Sequence, residues 1–386
     1  MKIGIDVRTM ETGHKFRGIG AYSENLIKNI SELDDKNEYI FFCQKMPSSA
    51  SKIIENKKFI HSDFLIRKPK DPLKYNWYLD QIYFPNAIKK SKVDLVHILD
   101  QLSCLFSKNV KTVVTVHDLI QILDYCKGNF KNKIKLIPVK NADRIIAISQ
   151  SVKNDLIKIL KIDPAKIKII YNGYDKKIFY PEKNSKSILF FRKKILKSGN
   201  KKYLLYIGSF EEFEPRKNIN FLIDVFEKLA KNPKNKNLML VMIGKTGQES
   251  ERIKAVLNTK KISNKVVFVG YIKHQDLRPY FQAAEIFLFP SLYEGFGLPP
   301  LEAMASGTPT ISANTTSLPE VVGRGGVLLS PTDKDAWVEN IEKIIDNDKY
   351  REQIVESGRL QADKFSWKQC AKEVIETYHE VINEEN

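Results

Sequence analysis

The sequence predicts an α/β protein made of two doubly wound, Rossmann-like domains that face each other across a cleft. Three observations support this fold class. Short apolar runs such as KIGIDV and LMLVMIG alternate with helical patterns in both halves of the 386-residue chain, as buried parallel strands alternate with crossover helices. A basic, polar stretch interrupts the alternation at residues 171–202, and KYLLYIGS then restarts it. The chain therefore has two units and a connection between them.

The interruption sets the expected domain boundaries. We predict a first domain over residues 1–185, a linker over 186–201 and a second domain over 202–365. The chain ends with the helical pattern CAKEVIETYHEVINEEN. We expect a helix within 366–386 that packs back on the first domain.

Positive charge is concentrated in the first half of the sequence. The formal net charge is +17; residues 1–200 hold 38 Lys and Arg against 20 Asp and Glu, whereas residues 201–386 hold 25 against 26. Basic and aromatic residues interleave over residues 64–90. The excess predicts an anionic partner, namely a membrane surface, a lipid diphosphate or nucleic acid. A Lys- and Asn-rich compositional bias is the alternative explanation.

Composition also excludes several protein classes. The amino-terminal apolar run is short and contains Asp6, and no run approaches the roughly 20 apolar residues of a membrane-spanning helix. We therefore expect a cytoplasmic protein, with peripheral attachment to the inner face of the cell membrane as the hypothesis that the charge suggests. The four cysteines lack the spacing of a zinc site or a disulfide framework. They are Cys43, Cys104, Cys126 and Cys370.

The first domain offers two candidate sites. Gly18 and Gly20 lie where a loop passes into the helical pattern AYSENLIKNI, and such glycines either approach a phosphate or only permit a tight turn. His117 ends the apolar strand VKTVVTV. Because open α/β folds bind ligands at the carboxyl ends of their strands, His117 is a site candidate.

Arg216 and Lys217 are the cationic candidates of the second domain. They follow the strand YLLYIGS within the segment EPRKN, where a strand gives way to a helix. Two adjacent cations at such a junction suit a diphosphate. On their own they would be read as solvated surface charges.

The stretch SLYEGFGLPPLEAMASGTPT, residues 291–310, carries the strongest signal. The preceding EIFLFP predicts a buried strand, and a helix is expected from about Pro300 to Gly307. Glycines and a helix start favour phosphate binding, while Glu294 and Glu302 can accept hydrogen bonds from hydroxyls. This combination suits a sugar nucleotide.

These motifs, together with TVHDLI, ADRIIAIS and LPEVVGRGG, resemble the family 4 retaining glycosyltransferases of the GT-B fold, and most closely their mannosyltransferase-like branch. The resemblance covers nearly the whole chain. It implies that the first domain binds the acceptor and the second the nucleotide sugar.

The resemblance also implies roles for individual residues. Glu302 would hold the ribose hydroxyls, and Glu294 the donor sugar. Lys217 and Arg216 would neutralise the diphosphate, and His117 would lie beside the reactive face of the sugar. Many members carry Arg after the glycine that is Gly208 here, whereas this chain has Ser209, so Arg216 is the expected second cation. Backbone contacts are implied for Gly18 and Gly20 with phosphate, for Gly295, Phe296, Gly297 and Leu298 with sugar, and for Gly270 and Tyr271 with the base.

The predicted function is retaining glycosyl transfer to a glycan or lipid-linked acceptor in cell-surface polysaccharide or glycoconjugate biosynthesis. GDP-mannose is the favoured donor, and a UDP-linked glucose, galactose or GlcNAc is the alternative. Neither cofactor nor metal is expected, because no DxD-like acidic cluster occurs in the cleft-forming loops. A different class, a basic nucleic-acid- or membrane-binding protein without transferase activity, is opposed by the absence of a recognisable nucleic-acid-binding module. A sugar-nucleotide epimerase is opposed by the glutamate pair and EPRKN.

Overall fold

The chain folds into two compact units in the computed structural model. Unit 1 comprises Met1–Gly173 and Ser366–Asn386, and unit 2 comprises Tyr174–Phe365. The structure describes residues 1–10, 18–43, 59–63, 79–103, 110–120, 136–181, 185–197 and 201–384. Most of the basic and aromatic residues of 64–90, namely those of 64–78, as well as Cys104 and Cys126, lie outside these ranges. The described Cys43 and Cys370 are both buried.

Unit 1 is built on a parallel sheet, which has seven strands among the described residues in the order β3-β2-β1-β4-β5-β6-β7. The apolar strands are buried on both faces, as crossover helices require. The strands are β1 Lys2–Asp6, β2 Glu38–Cys43, β3 Phe59–Asp63, β4 Leu95–Ile98, β5 Lys111–Val116, β6 Arg144–Ala147 and β7 Ile167–Ile169. Its described helices are α1 Gly18–Leu33, α2 Phe84–Ser91, α3 Gln150–Leu160 and, at the end of the chain, α12 Trp367–Asn383.

Unit 2 has a parallel six-stranded sheet in the order β10-β9-β8-β11-β12-β13. Counted within the unit, this is the 3-2-1-4-5-6 order of the Rossmann fold. The strands are β8 Lys202–Ile207, β9 Leu238–Ile243, β10 Val266–Gly270, β11 Ile286–Phe289, β12 Thr310–Ala313 and β13 Val327–Leu329. The helices are α4 Ser185–Leu196, α5 Ile219–Lys231, α6 Gln248–Thr259, α7 Arg278–Ala283, α8 Leu298–Ala305, α9 Leu318–Val322, α10 Lys334–Asp346 and α11 Asp348–Ala362. The prediction of two doubly wound α/β units is confirmed.

The observed boundaries differ from those expected from sequence. Unit 2 begins at Tyr174, and most of the segment expected as a linker forms α4. Glu285, which is buried, holds this helix: its Oε1 lies 2.9 Å from Nη1 of Arg192 on α4, and its Oε2 accepts a 2.5 Å hydrogen bond from Arg351. Because a buried carboxylate must be paired, Glu285 fixes α4 to unit 2.

The last helix, α12, belongs to unit 1, where it packs against α1. Ser366 caps it by accepting a hydrogen bond from the Gln369 amide. Its Tyr378 hydroxyl lies 2.7 Å from Nδ1 of His97 on β4. A Cβ on Gly173 would stand 2.0 Å from the backbone nitrogen of Trp367, so glycine is required where the start of α12 crosses the end of the first segment. None of the described helices is long and apolar enough to span a bilayer.

Candidate active site

The candidate site of unit 2 lies where the strand order of its sheet reverses. β8 and β11 are neighbours in the sheet although three helices and two strands separate them in sequence. Parallel strands present their carboxyl ends at one edge, and ligands of open α/β folds bind at such a reversal. The loop after β8 carries Arg216 and Lys217, and the loop after β11 carries Glu294. The Leu292 amide donates a 2.6 Å hydrogen bond to the Arg216 carbonyl, which joins the two loops.

The two predicted cations share a carboxylate. Nη2 of Arg216 donates to Oε2 of Glu214 at 2.6 Å, and Nζ of Lys217 donates to its Oε1 at 2.7 Å. Burial raises the pKa of Glu214, but Lys217 and Arg216 outweigh burial, so that its pKa is lowered overall. Glu214 is therefore an anion at neutral pH, and it holds both cations in place.

Glu294 joins the same network. Its Oε1 accepts hydrogen bonds from Nη1 of Arg216 at 2.9 Å and from the Ser291 hydroxyl at 2.8 Å. The Thr316 hydroxyl accepts from the Glu294 amide at 3.0 Å, and the Ser317 hydroxyl lies 2.8 Å from the Glu294 carbonyl. The β12–α9 loop thus positions the backbone of Glu294, while Arg216 and Ser291 position its carboxylate.

The glycine loop before α8 is tightly built. Gly297 has φ +116°, and a Cβ there would stand 2.9 Å from Cδ2 of Leu318, so both conformation and space require glycine. The Phe296 ring is buried, edge-on to Phe365 at 5.7 Å. Only the backbone of Phe296 is therefore placed to meet a ligand.

The helix α8 differs from the prediction. It starts at Leu298, two residues before the expected start, and ends at Ala305 rather than Gly307. Two prolines follow Leu298, and proline has no backbone N–H. The helix start therefore offers fewer hydrogen-bond donors than the sequence argument assumed.

Glu302 lies on α8 and is only 4% exposed. Its Oε1 lies 2.6 Å from Nε2 of His274, and the His274 ring packs edge-on to Phe179 at 5.1 Å. His274 was not among the predicted site residues, although it follows the predicted base-binding edge by three residues. Nothing in its local sequence signals a contact with a glutamate 28 positions later.

Gly270 and Tyr271 end β10 at the edge of the sheet. Gly270 adopts φ +85° beside a shift in the β9–β10 register, and a Cβ there would meet nothing within 4 Å. The glycine is thus required by the turn and not by crowding. Tyr271 is about half exposed, which leaves part of its ring accessible.

Ser209 stands where many family members carry arginine. Its carbonyl accepts a 3.4 Å hydrogen bond from Nζ of Lys217, and its hydroxyl donates to Glu211 at 3.2 Å. The residue therefore supports Lys217 without supplying a charge. Arg216 is the second described cation of this network.

The candidate residues of unit 1 form a separate group. His117 follows β5, is 4% exposed, and lies edge-on to the Tyr22 ring at 4.9 Å. Its Nε2 is 2.8 Å from the Leu99 carbonyl, which can only accept, so Nε2 carries a proton. Gly18 and Gly20 lie in the first turn of α1.

Sequence reasoning located the glutamate pair and both cations but missed Glu214, His274 and the serines that fix Glu294. Glu214 lies inside EPRKN, and an acidic residue beside two cations was an available signal. Ser291 begins the stretch that contains Glu294 and lies three positions before it, whereas Ser317 reaches the site only through folding. Within the described residues, no group of three or more His, Cys, Asp or Glu side chains is arranged to hold a metal ion.

Comparisons with known proteins assign the family. A family model described as Glycosyltransferase Family 4 matches residues 16–177, and one described as Glycosyl transferases group 1 matches residues 187–361. The chain is 38% identical to the O-antigen chain mannosyltransferase B of Escherichia coli over 46% of this chain and 45% of that protein. It is 30% identical to the Escherichia coli serotype-specific mannosyltransferase WbdA over 70% of this chain and 34% of that protein. The matched regions thus span less than half the length of these two relatives.

A solved structure of sucrose-phosphate synthase from Thermosynechococcus elongatus superposes with a TM-score of 0.77, at 21% identity over 99% of each chain. Two Rossmann-like units with a cation and carboxylate network at a strand-order reversal define a protein of the GT-B class. The chain belongs to the family 4 glycosyltransferases, since the two family models together account for most of it. The predicted family and fold class are confirmed, whereas the roles of single residues stay predictions.

Proposed function

We propose that this protein transfers a sugar from a nucleoside-diphosphate donor to a glycan or lipid-linked acceptor, with retention of anomeric configuration and without a metal. The network of Arg216, Lys217 and Glu214 carries the proposal. It sets two positioned cations beside Glu294 at the strand-order reversal of unit 2. Fixed cations of this kind stabilise a departing diphosphate.

Mannose is the sugar that we propose, with GDP as the nucleotide. Support comes from the names of the two Escherichia coli relatives, both mannosyltransferases, and from the mannosyltransferase-like motifs of the sequence. The acceptor would be a growing surface polysaccharide. A UDP-linked sugar is the competing donor, and binding measurements separate the two.

The reaction can be written with its proton and its electrons balanced. The anomeric C–O bond to the diphosphate breaks, and the electron pair leaves with the phosphate oxygen, where Arg216 and Lys217 offset the new negative charge. The acceptor oxygen forms its bond on the face that the phosphate leaves, and its proton passes to that phosphate. Glu294 would orient the sugar, and His117 would lie beside its reactive face. The proton of His117 is already held on Nε2 by the Leu99 carbonyl.

Calorimetric titration with GDP and with UDP tests the donor site. We expect GDP to bind. Glu302→Ala should lose affinity because the ribose hydroxyls lose their acceptor, and the isosteric Glu302→Gln should lose affinity because one charged acceptor oxygen is replaced by an NH₂ donor. Glu352→Ala, at an exposed position of α11, is the matched control. Unchanged affinity in both Glu302 variants would refute the site, and preference for UDP would refute the proposed donor.

Retention and metal independence need their own measurements. NMR of the product should show the anomeric configuration of the donor, and an inverted product would reject the mechanism. Activity should persist after exhaustive chelation.

We further propose that the enzyme works peripherally at the inner face of the cell membrane, which the net charge of +17 supports.

A further inference from the structure

The observed units redistribute the positive charge of the chain. Unit 1 holds 32 Lys and Arg against 23 Asp and Glu, and unit 2 holds 31 against 23. The excess is therefore shared almost equally, although the halves of the sequence suggested otherwise. Within unit 2 it has one source, because residues 185–202 contain seven Lys and Arg and no Asp or Glu. The rest of unit 2 is close to neutral.

Most of this charged segment is α4, and its two faces differ. Arg192 faces inward, where it pairs with buried Glu285 and donates to the Ala283 carbonyl. Phe191 packs edge-on to Tyr280 of α7 at 4.8 Å. These contacts fix the helix on unit 2 and determine which side faces outward.

The outward side, which we call the α4 outer face, combines lysines with large apolar residues. Phe190 is 72% exposed and Leu189 is 54% exposed. Helical spacing places Lys186, Lys193 and Lys197 in one stripe with Phe190. The α4 outer face comprises Lys186, Leu189, Phe190, Lys193, Lys194 and Lys197, all of them exposed.

We propose that the α4 outer face docks on an anionic phospholipid surface. Phe190 and Leu189 would enter the boundary between headgroups and acyl chains, while the lysines contact lipid phosphates. The inference rests on the proposed function in one respect, the peripheral location, and assigns that location to a helix of unit 2.

Charge complementarity favours lipid over the other occupants. A second copy of this chain would bring two lysine stripes together across a symmetric interface, and like charges oppose such contact. Nucleic acid would satisfy the lysines, but a Phe and a Leu projecting from the same helix gain more from the acyl boundary. Lysine stems also extend along apolar surface while their ammonium groups stay in water.

Co-sedimentation of the full chain with vesicles tests the proposal. We expect binding to mixed phosphatidylcholine and phosphatidylglycerol vesicles that weakens with salt, and little binding to phosphatidylcholine alone. Lys193→Glu/Lys194→Glu should lower the partition coefficient about 30-fold or more. Phe190→Ser should lower it about tenfold.

Matched controls separate local from general effects. Lys349→Glu/Lys368→Glu makes the same change in net charge at exposed sites outside α4, and Leu360→Ser removes another exposed apolar side chain. Both should leave vesicle binding close to that of the wild type. Loss of binding in the controls as large as in the α4 variants would overturn the assignment. Vesicle binding that is unchanged in the α4 variants would also overturn it. The same holds if the α4 variants change only self-association or the binding of duplex RNA.

Nucleotide titration of the same variants keeps the two proposals distinguishable. The α4 variants should bind GDP or UDP as the wild type does, which also shows that they fold. Glu302→Gln should lose nucleotide affinity and keep vesicle binding. If no nucleotide binds while vesicle binding still depends on α4, the docking surface is supported and the proposed transfer reaction is rejected.

Discussion

The two units hold their buried polar side chains in different ways. In unit 2, Arg216 and Lys217 are paired with carboxylates in a network of charges. In unit 1, His97 is buried between the Tyr378 and Thr115 hydroxyls, and His117 is hydrogen-bonded to a backbone carbonyl. Burial, together with the charge of nearby His117, lowers the pKa of His97 to about 3. The described cations of unit 2 are therefore held by ion pairs, whereas His97 of unit 1 is kept neutral by burial and is held by hydroxyl groups.

The contrast between the units predicts the largest loss of activity for a substitution of Lys217. Lys217→Ala should lower the rate of transfer about 10²–10³-fold, because the departing diphosphate loses a positioned cation in a site that is partly shielded from water. Steady-state kinetics with excess donor would measure the loss. Lys228→Ala, on the exposed side of α5, should leave the rate unchanged. A loss below about threefold at Lys217 would mean that unit 2 does not supply the charge for departure.

Glu214 explains why this network could be only partly predicted. The positions of Arg216, Lys217 and Glu294 followed from strand ends and motif spacing, which are local properties of the sequence. That Glu214 bridges the two cations depends on side-chain orientation. Likewise, the reach of His274 to Glu302 depends on a tertiary approach between segments 28 residues apart.

The segment predicted as a linker, residues 186–201, differs from the structure for a related reason. Residues 186–201 contain an apolar stripe of Ile188, Phe191, Ile195 and Leu196, but the exposed lysines, Leu189 and Phe190 of α4 obscure it in the sequence. The inward side is also held by an ion pair between Arg192 and Glu285, which lie 93 positions apart in the sequence. The alternation of strands and helices was predictable, because it follows from periodicity along the chain. An ion pair at long range leaves no such period.

A smaller effect is expected at His117. His117→Ala should lower the rate of transfer about 10–100-fold and leave GDP or UDP affinity unchanged within about twofold, because a side chain that would lie beside the reacting sugar acts on the transition state more than on the nucleotide. His379→Ala is the matched control, since this histidine is exposed on α12. A parallel loss of nucleotide affinity in His117→Ala would show that unit 1 contributes to donor binding itself and would weaken the contrast between the units.

The smallest expected effect is a dependence of folding stability on pH, to which His97 of unit 1 and Glu214 of unit 2 contribute in different pH ranges. An unfolded chain protonates His97 near its ordinary pKa of 6.5, whereas the folded chain keeps it neutral down to about pH 3. The unfolded state therefore binds more protons across this window, and stability is lost as pH falls from about 6.5. Glu214 affects stability at lower pH. Because its pKa is lowered in the folded state, the stability that it provides is lost only as the pH falls below the ordinary pKa of 4.5.

Replacing His97 should remove the first of these two losses. In His97→Gln, the slope of the free energy of unfolding against pH between about 6 and 4 should be lower than in the wild type by about 1.4 kcal/mol per pH unit. Thermal or urea unfolding at several pH values measures this slope, with His379→Gln as the control. His97→Gln is expected to be less stable at pH 7, because glutamine cannot reproduce both hydrogen bonds, so the slope and not the absolute stability carries the test. An unchanged slope would mean that His97 is accessible to protons in the folded state.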